Sequence, residues 1–362
     1  MISYALIGDE VAWTEPIYKK GAVDAAGAFL ALRWFGSLPY DELHAFDEAL
    51  TVLNNWRSAH SFPLNTFQST LRKKARSIYP NAIVAQRIKR APSIMLKLTR
   101  FPSMKLSQMQ DIGGCRAVVG SVAHAFRLRQ AYIDSQLRHE LVREKNYINE
   151  PKDSGYRGIH LVYRYLSDRQ QGAHNGLQIE MQLRSRLQHA WATAVETAGT
   201  FLERSLKSNQ GPEEWLQFFV LVSSGFAIME KRPTCPGTPS DKAGLRELIR
   251  EKAAVLQVDQ KLRAFGATIN VASEPSYKNA HFFLLELQPD QQTVTVTGFP
   301  LQEMAAANRM YMDLEKRMAN ENVLGAQAVL VSADTLESLR RAYPNFYLDT
   351  NAFLDYLKQV IA

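Results

Sequence analysis

Along the chain the apolar positions change period several times, and each change marks an expected element. Residues 1–60 read as helical: Leu43, Phe46, Ala49, Leu50 and Leu53 recur at helix spacing behind Pro39 and Asp41. A further helix is expected over 65–79, and it carries Arg72, Lys73, Lys74 and Arg76. Residues 109–119 read as a turn and then a strand, 122–138 as a helix, and 159–165 as a strand. Leu177, Ile179, Met181 and Leu183 alternate with Gln178, Glu180, Gln182 and Arg184. That period of two predicts a strand with one apolar and one polar face. Helices are expected over 184–205, 212–231 and 241–266, the last two separated by a proline-rich loop at 231–240. From about 276 the pattern changes. Residues 281–288 and 292–298 flank Pro289, Asp290 and Gln291 and read as a hairpin. A helix at 302–320, a strand at 327–332 and helices at 334–342 and 350–361 follow.

The fold class implied is α+β: a mixed sheet surrounded by helices, with a small C-terminal β-β-α-β-α unit behind it. The expected division is a helical region at 1–64, a main domain at 65–275 and the small unit at 276–362. A length of 362 residues suits more than one domain. No apolar run reaches 18 residues, so no transmembrane helix is expected. The first ten residues lack a basic stretch and include Asp9 and Glu10, unlike a secretory signal. Cys115 and Cys235 have neither metal spacing nor the number for a disulfide framework, and a cytoplasmic location is the expectation.

Charge divides the chain. Of 43 Lys and Arg and 36 Asp and Glu, residues 276–362 hold 7 and 10, a net −3. Residues 1–275 hold the other 36 and 26, a net +10. A basic front suggests an anionic substrate, and an acidic back suits docking of the two parts. The 71–76 cluster is either a solvated face or a landing strip for a polyanion.

Three stretches carry candidate chemistry. Residues 142–160 form a basic, turn-rich loop in which Tyr156 follows Gly155, with Lys145, Lys152, Arg157 and His160 around it. A ring for a base and cations for phosphates suit a nucleotide. Residues 86–100 hold five cations in fifteen residues, and Arg87 and Lys89 alternate around Ile88. Ser93 follows Pro92 at the start of an apolar-periodic segment and is a candidate helix cap. Asp111 precedes Gly113 and Gly114, and Arg116 lies in the strand beyond. The Glu180 strand has either a solvated polar face or a site in which a metal bridges carboxylate and phosphate.

Taken together, these stretches resemble the synthetase domain of the RelA/SpoT family, pyrophosphokinases that make guanosine tetra- and pentaphosphate. The resemblance covers about 65–200 and weakens towards 265. It rests on Arg87, Lys89, Ser93, Ile94 and Lys97; on Asp111, Gly114 and Arg116; on Lys145, Tyr147, Ile148, Pro151, Lys152, Gly155 and Tyr156; and on Glu180, Gln182 and Arg184. Asn146 stands where the family usually has Asp. No His-Asp hydrolase motif lies upstream, so alarmone hydrolysis is not expected.

The resemblance implies that Arg87, Lys89, Ser93, Lys97 and Arg116 bind ATP. It implies Mg²⁺ on Asp111 and Glu180, with those two as the catalytic pair. Tyr156 would stack the acceptor base, with Lys145, Lys152 and His160 near acceptor phosphates and Gln182 and Arg184 bracing the strand. Tyr343, Phe346 and Tyr347 resemble the Tyr-x-x-Tyr element of fused toxin–antitoxin synthetases of the CapRel type, with Phe346 at the second tyrosine. There the element blocks the ATP site until a phage capsid protein binds the C-terminal domain, and the freed enzyme modifies the 3′ end of tRNA. The acceptor implied is therefore tRNA, with GDP or GTP as the alternative.

Overall fold

The computed structural model describes residues 13–34, 39–168, 172–202, 212–267, 270–273, 280–288, 291–321, 326–332 and 336–362. Helices α1 (Lys20–Arg33), α2 (Leu43–Ala59) and α3 (Ser61–Ile78) lead the chain. Strand β1 (Ile83–Ile88), helix α4 (Ala91–Arg100), strand β2 (Gly113–Val119) and helix α5 (Val122–Ile133) follow. Next come β3 (Glu140–Asn146), β4 (Ile159–Arg164) and β5 (Gln178–Ser185), and then α6 (Arg186–Leu202), α7 (Pro212–Met229), α8 (Lys242–Val255) and α9 (Val258–Ala267). The tail contributes β6 (Asn270–Ser273), β7 (Phe282–Gln288), β8 (Thr293–Phe299), α10 (Met304–Glu321), β9 (Gln327–Ser332), α11 (Leu336–Ala342) and α12 (Asn351–Ile361). No described helix is long and apolar enough to cross a membrane.

Among the described residues one nine-stranded sheet runs through front and tail, in the order β3-β4-β5-β2-β1-β9-β7-β8-β6. Pairing is parallel between β2 and β5 and between β6 and β8, and antiparallel elsewhere. The join is short: Gln86 faces Ser332 and Arg87 faces Val331. The alternation of β5 has its expected result. Ile179, Met181 and Leu183 are fully buried in a core with Leu71 of α3 and Leu128 of α5. Each such side chain contributes about 1.5–3 kcal/mol by leaving water.

On the tail, α10 covers the face bearing Phe282, Leu284, Ala328 and Leu330. The opposite face, with Phe283, Leu285, Val329 and Val331, is covered by Leu339 and by the turn holding Tyr343, Phe346 and Tyr347. Ala85 of β1 belongs to that second core, and α12 packs its Phe353, Leu354 and Leu357 among α6, α7 and α8. The tail thus grips the front on both faces of the sheet.

Several expected elements change. The stretch from 142 reads as loop but begins as the edge strand β3, whose half-exposed, mostly charged residues give no apolar stripe. The expected helix at 122–138 ends at Ile133, and that at 184–205 begins only at Arg186 because β5 runs on to Ser185. The expected single helix at 241–266 is two. The break falls at Gln257, which has a left-handed φ of 54°, and it lets both Leu256 and Val258 reach the core. The four-residue β6 was too short to announce itself; it lies ahead of residue 276 yet pairs with β8.

Ser93 does not cap α4. The helix begins two residues earlier, at Ala91, because Pro92 is already set for a first helical turn.

Candidate functional site

Residues opposite one another in a sheet share a face, so the register lines up the polar side chains. One row crosses the front as Ala85, Arg116, Gln182, His160 and Lys145. The next runs Val331, Arg87, Gly114, Glu180, Val162 and Arg143. Gly114 keeps a gap between Arg87 and Glu180: a Cβ there would meet nothing nearer than 3.9 Å.

On this floor five side chains close a ring of hydrogen bonds. His160 Nδ1 lies 2.8 Å from Glu180 Oε1, and Tyr156 Oη lies 2.5 Å from His160 Nε2. Arg184 Nη2 donates to Tyr156 Oη at 3.0 Å and to Gln182 Oε1 at 2.8 Å, and Gln182 Nε2 donates to Glu180 Oε2 at 2.8 Å. A carboxylate only accepts, so His160 donates from Nδ1, and a neutral ring then accepts the tyrosine proton at Nε2. Burial works to raise the Glu180 pKa, but the hydrogen bonds from His160 and Gln182 outweigh it and hold the group below its ordinary value.

Asp111 stands at the end of the turn before β2. Its oxygens meet Lys89 Nζ at 2.9 Å and Lys97 Nζ at 2.8 Å. Burial opposes ionisation, yet the two ammonium groups bring its pKa down to about 2. Lys89 follows β1, and its backbone N–H is held by the carbonyl of Ile112 at 2.8 Å. Lys97 projects from α4, one turn before its end.

A cavity of about 710 Å³ joins these groups. Of the expected site residues, Lys97, Asp111, Lys145, Lys152, Tyr156, His160, Glu180, Gln182 and Arg184 line it. Lys89 reaches it through Asp111. Arg87, Arg116 and Ser93 are not among its lining residues. Lys152 Nζ sits 5.2 Å from the centre of the Tyr156 ring and 4.5 Å from that of Tyr147, so a base stacking on Tyr156 meets Lys152 as well.

Arg143 and Tyr147 also line the cavity, as do Phe101, directly after α4, and Met109, ahead of β2. The signal for Arg143 lay in its two-residue spacing from Lys145, which puts both on one face once β3 is a strand. The walls at Phe101 and Met109 had no such signal.

Two carboxylates held anionic at the rim of a polar cavity fit Mg²⁺, a hard ion that takes one or two carboxylates and completes its shell with water and substrate phosphates. Among the described residues no group of three or more acidic, histidine or cysteine side chains gathers as a larger metal cluster. Asp111 and Glu180 are the groups suited to hold the ion.

Beyond the cavity the same face passes beneath the tail. Arg116 donates from Nη2 to the carbonyl of Ala342, and its Cζ lies 5.4 Å from the centre of the Tyr343 ring. Burial, then the neighbouring Arg184, lowers the Arg116 pKa to about 10. Tyr343 Oη donates to the carbonyl of Gln86 at 2.7 Å, and His189 Nε2 lies 3.4 Å from the carbonyl of Arg341. Phe346 is 1% exposed and packs in the tail's own core, while Tyr343 spans the join.

Residues 86–201 match the model of a region found in RelA/SpoT proteins. The GTP pyrophosphokinase YjbM of Bacillus subtilis is 31% identical over 116 residues, which are 32% of this chain and 54% of that protein. An uncharacterised protein of Mycobacterium tuberculosis is 25% identical over 135 residues, 36% of this chain and 45% of that one. The chain thus spans about half the length of the curated relatives it matches. Among solved structures, small alarmone synthetase 1 of Bacillus subtilis bound to its product pppGpp aligns with a TM-score of 0.37 and 25% identity, over 46% of this chain and 86% of that one. Small alarmone synthetase 2 of the same organism aligns with a TM-score of 0.40 and 20% identity, over 49% and 94%. Residues 86–201, which match the RelA/SpoT region, hold all of the cavity's lining residues.

Proposed function

We propose that the protein is an ATP-dependent pyrophosphokinase that transfers the β,γ-pyrophosphoryl group of ATP to a ribose 3′-hydroxyl. The observation that carries this is the pairing of two anionic carboxylates, Asp111 and Glu180, with Lys89, Lys97, Lys145 and Lys152 around one cavity. The acceptor oxygen attacks the β-phosphorus. A new O–P bond forms, the bond from the β-phosphorus to the α–β bridging oxygen breaks, and AMP leaves. The hydroxyl proton passes to Glu180, whose carboxylate His160 and Gln182 hold in place. Lys89 and Lys97 exchange Asp111 for phosphate oxygens and stabilise charge on the transferred group. Mg²⁺ held by Asp111 and Glu180 would neutralise part of the triphosphate charge when bound.

The acceptor we favour is the 3′ end of tRNA, with the product stopping translation and the tail restraining the enzyme in anti-phage defence. The net +10 of the front and the cover of Tyr343 over Arg116 support it. A phage capsid protein bound by the tail is the proposed trigger. The second reading, transfer to GDP or GTP, draws on the relative named a GTP pyrophosphokinase.

The test uses ATP labelled in its β- or γ-phosphate, with the full-length chain and its Tyr343→Ala variant offered tRNA, GDP and GTP separately. Label on tRNA, stronger with the variant, is the expected result. Label on guanosine nucleotides, equal in both proteins, would replace it with the second reading. Cutting at residue 275 is the poorer test, because it strips β9 from β1 and separates β6 from β8.

A further inference from the structure

The tail also reaches the front through a group with no part in the proposed cover. Glu315 of α10 is 6% exposed, and its Oε2 meets Nη2 of Arg57, on α2 and 2% exposed, at 2.7 Å. Its other oxygen accepts from the backbone N–H of Ala91 at 3.0 Å. Arg57 donates from Nε to the carbonyl of Lys89 at 3.1 Å and from Nη1 to Asn54 Oδ1 at 3.0 Å. The pair therefore holds one short run by both ends: the carbonyl of residue 89 and the N–H of residue 91. That run carries Lys89 and opens the helix that carries Lys97, and both lysines bond Asp111.

Helix α4 needs such a partner. Its N-cap, Arg90, offers no side-chain acceptor, and the first N–H groups of a helix have no partner within it. A carboxylate at that end is also favoured by the helix dipole. We infer that Glu315 is a positioning residue: through Arg57 and through the first turn of α4, it fixes Lys89 and Lys97 at the angle from which they meet Asp111 and, in turn, ATP. The tail then acts on the site in two opposed ways. Its Tyr343 covers Arg116, and its Glu315 completes the support of the lysines. Activation must lift the first contact while keeping the second. The kinetic side of this inference rests on the proposed ATP site.

A purely structural role is separable from a positioning one. Two apolar side chains can hold α2 against α10 as well as a buried ion pair does. They cannot accept from Ala91 N–H or donate to the Lys89 carbonyl. The test compares full-length wild type, Glu315→Gln and the double variant Arg57→Met/Glu315→Met. It reads thermal midpoint, KM for ATP, kcat, and hydrogen exchange at the Ala91 amide.

The double variant is expected to fold with a near-native midpoint, with KM for ATP raised about tenfold, kcat within about twofold, and Ala91 exchange faster by about tenfold. Glu315→Gln keeps an acceptor for Ala91, so its exchange should stay within about threefold of wild type, and it serves if the double variant does not fold. Native KM and native Ala91 exchange in the double variant would overturn the inference. So would Ala91 exchange in Glu315→Gln that rises in step with global unfolding alone. If wild type transfers nothing to any acceptor, the enzyme proposal fails, while Ala91 exchange still decides whether Glu315 holds the run.

Discussion

The floor of the cavity and the seam beneath the tail lie on one face of one sheet, yet they treat polar groups differently. On the floor, Tyr156, His160, Glu180, Gln182 and Arg184 bond mainly one another and face open space. At the seam, Arg116, His189 and Tyr343 bond backbone carbonyls, with His189 and Tyr343 buried and Arg116 partly buried. A side-chain ring facing a cavity can trade one partner for a ligand and remain satisfied. A seam bonded to backbone can be vacated only by moving an entire segment. On the proposed reading, the floor exchanges ligands and the seam switches between two states.

The largest effect expected from breaking this contrast is on the floor. Glu180→Gln should lower transfer by about 10²–10⁴-fold while leaving the thermal midpoint near wild type. Labelled-ATP kinetics decide it, and more than a tenth of the native rate would remove Glu180 from proton transfer. At the separate contact between α2 and α10, Arg57→Met alone should cost about 3–5 kcal/mol in denaturant unfolding, because it leaves Glu315 buried without its partner. Most of that should return in the double Met variant.

Next comes a pH effect on the front. His60 is fully buried, and burial brings its pKa from 6.5 to about 4 despite its bond to the carbonyl of Trp56. The unfolded chain binds a proton there that the folded chain refuses, so stability is full above pH 6.5 and falls as pH drops towards 4, by about 3 kcal/mol. Urea melts across that range should show the slope, and His60→Gln should flatten it.

Smaller still is Tyr343→Phe, which removes only the hydroxyl bond to Gln86. It should loosen the seam by about 1 kcal/mol and raise transfer about fivefold. An unchanged rate would show that the aromatic ring alone maintains the cover. Least of all, Lys316→Ala breaks a half-exposed ion pair with Asp47 and should cost no more than about 0.5 kcal/mol.

Much of this was legible where pattern is local. The period-two alternation of β5, the hairpin of β7 and β8, and the strand at 327–332 all show in single windows of sequence. The motif residues were named by order and spacing, and the structure gathers nine of them around one cavity. What stayed hidden is non-local. The join of β1 to β9 rests on two residue pairs, and no pattern at Gln86 or Ser332 announces it. Glu315 and Arg57 sit on amphipathic helices where each looks like an ordinary surface charge. Edge strand β3 has too little buried area to impose a stripe, and the break at Gln257 is set by packing on both sides rather than by a glycine or proline.

The shared sheet has a consequence in time. The last 95 residues, 268–362, leave the ribosome after the front, about 5–20 s later at ordinary rates of synthesis. For that interval the nascent front has no Tyr343 over Arg116. It also has no β9 beside β1 and no Glu315 for Arg57. On the proposed reading the growing chain lacks its guard until Tyr343 has emerged, and ribosome-held chains ending near residue 300 should accordingly capture ATP only weakly, for want of Glu315.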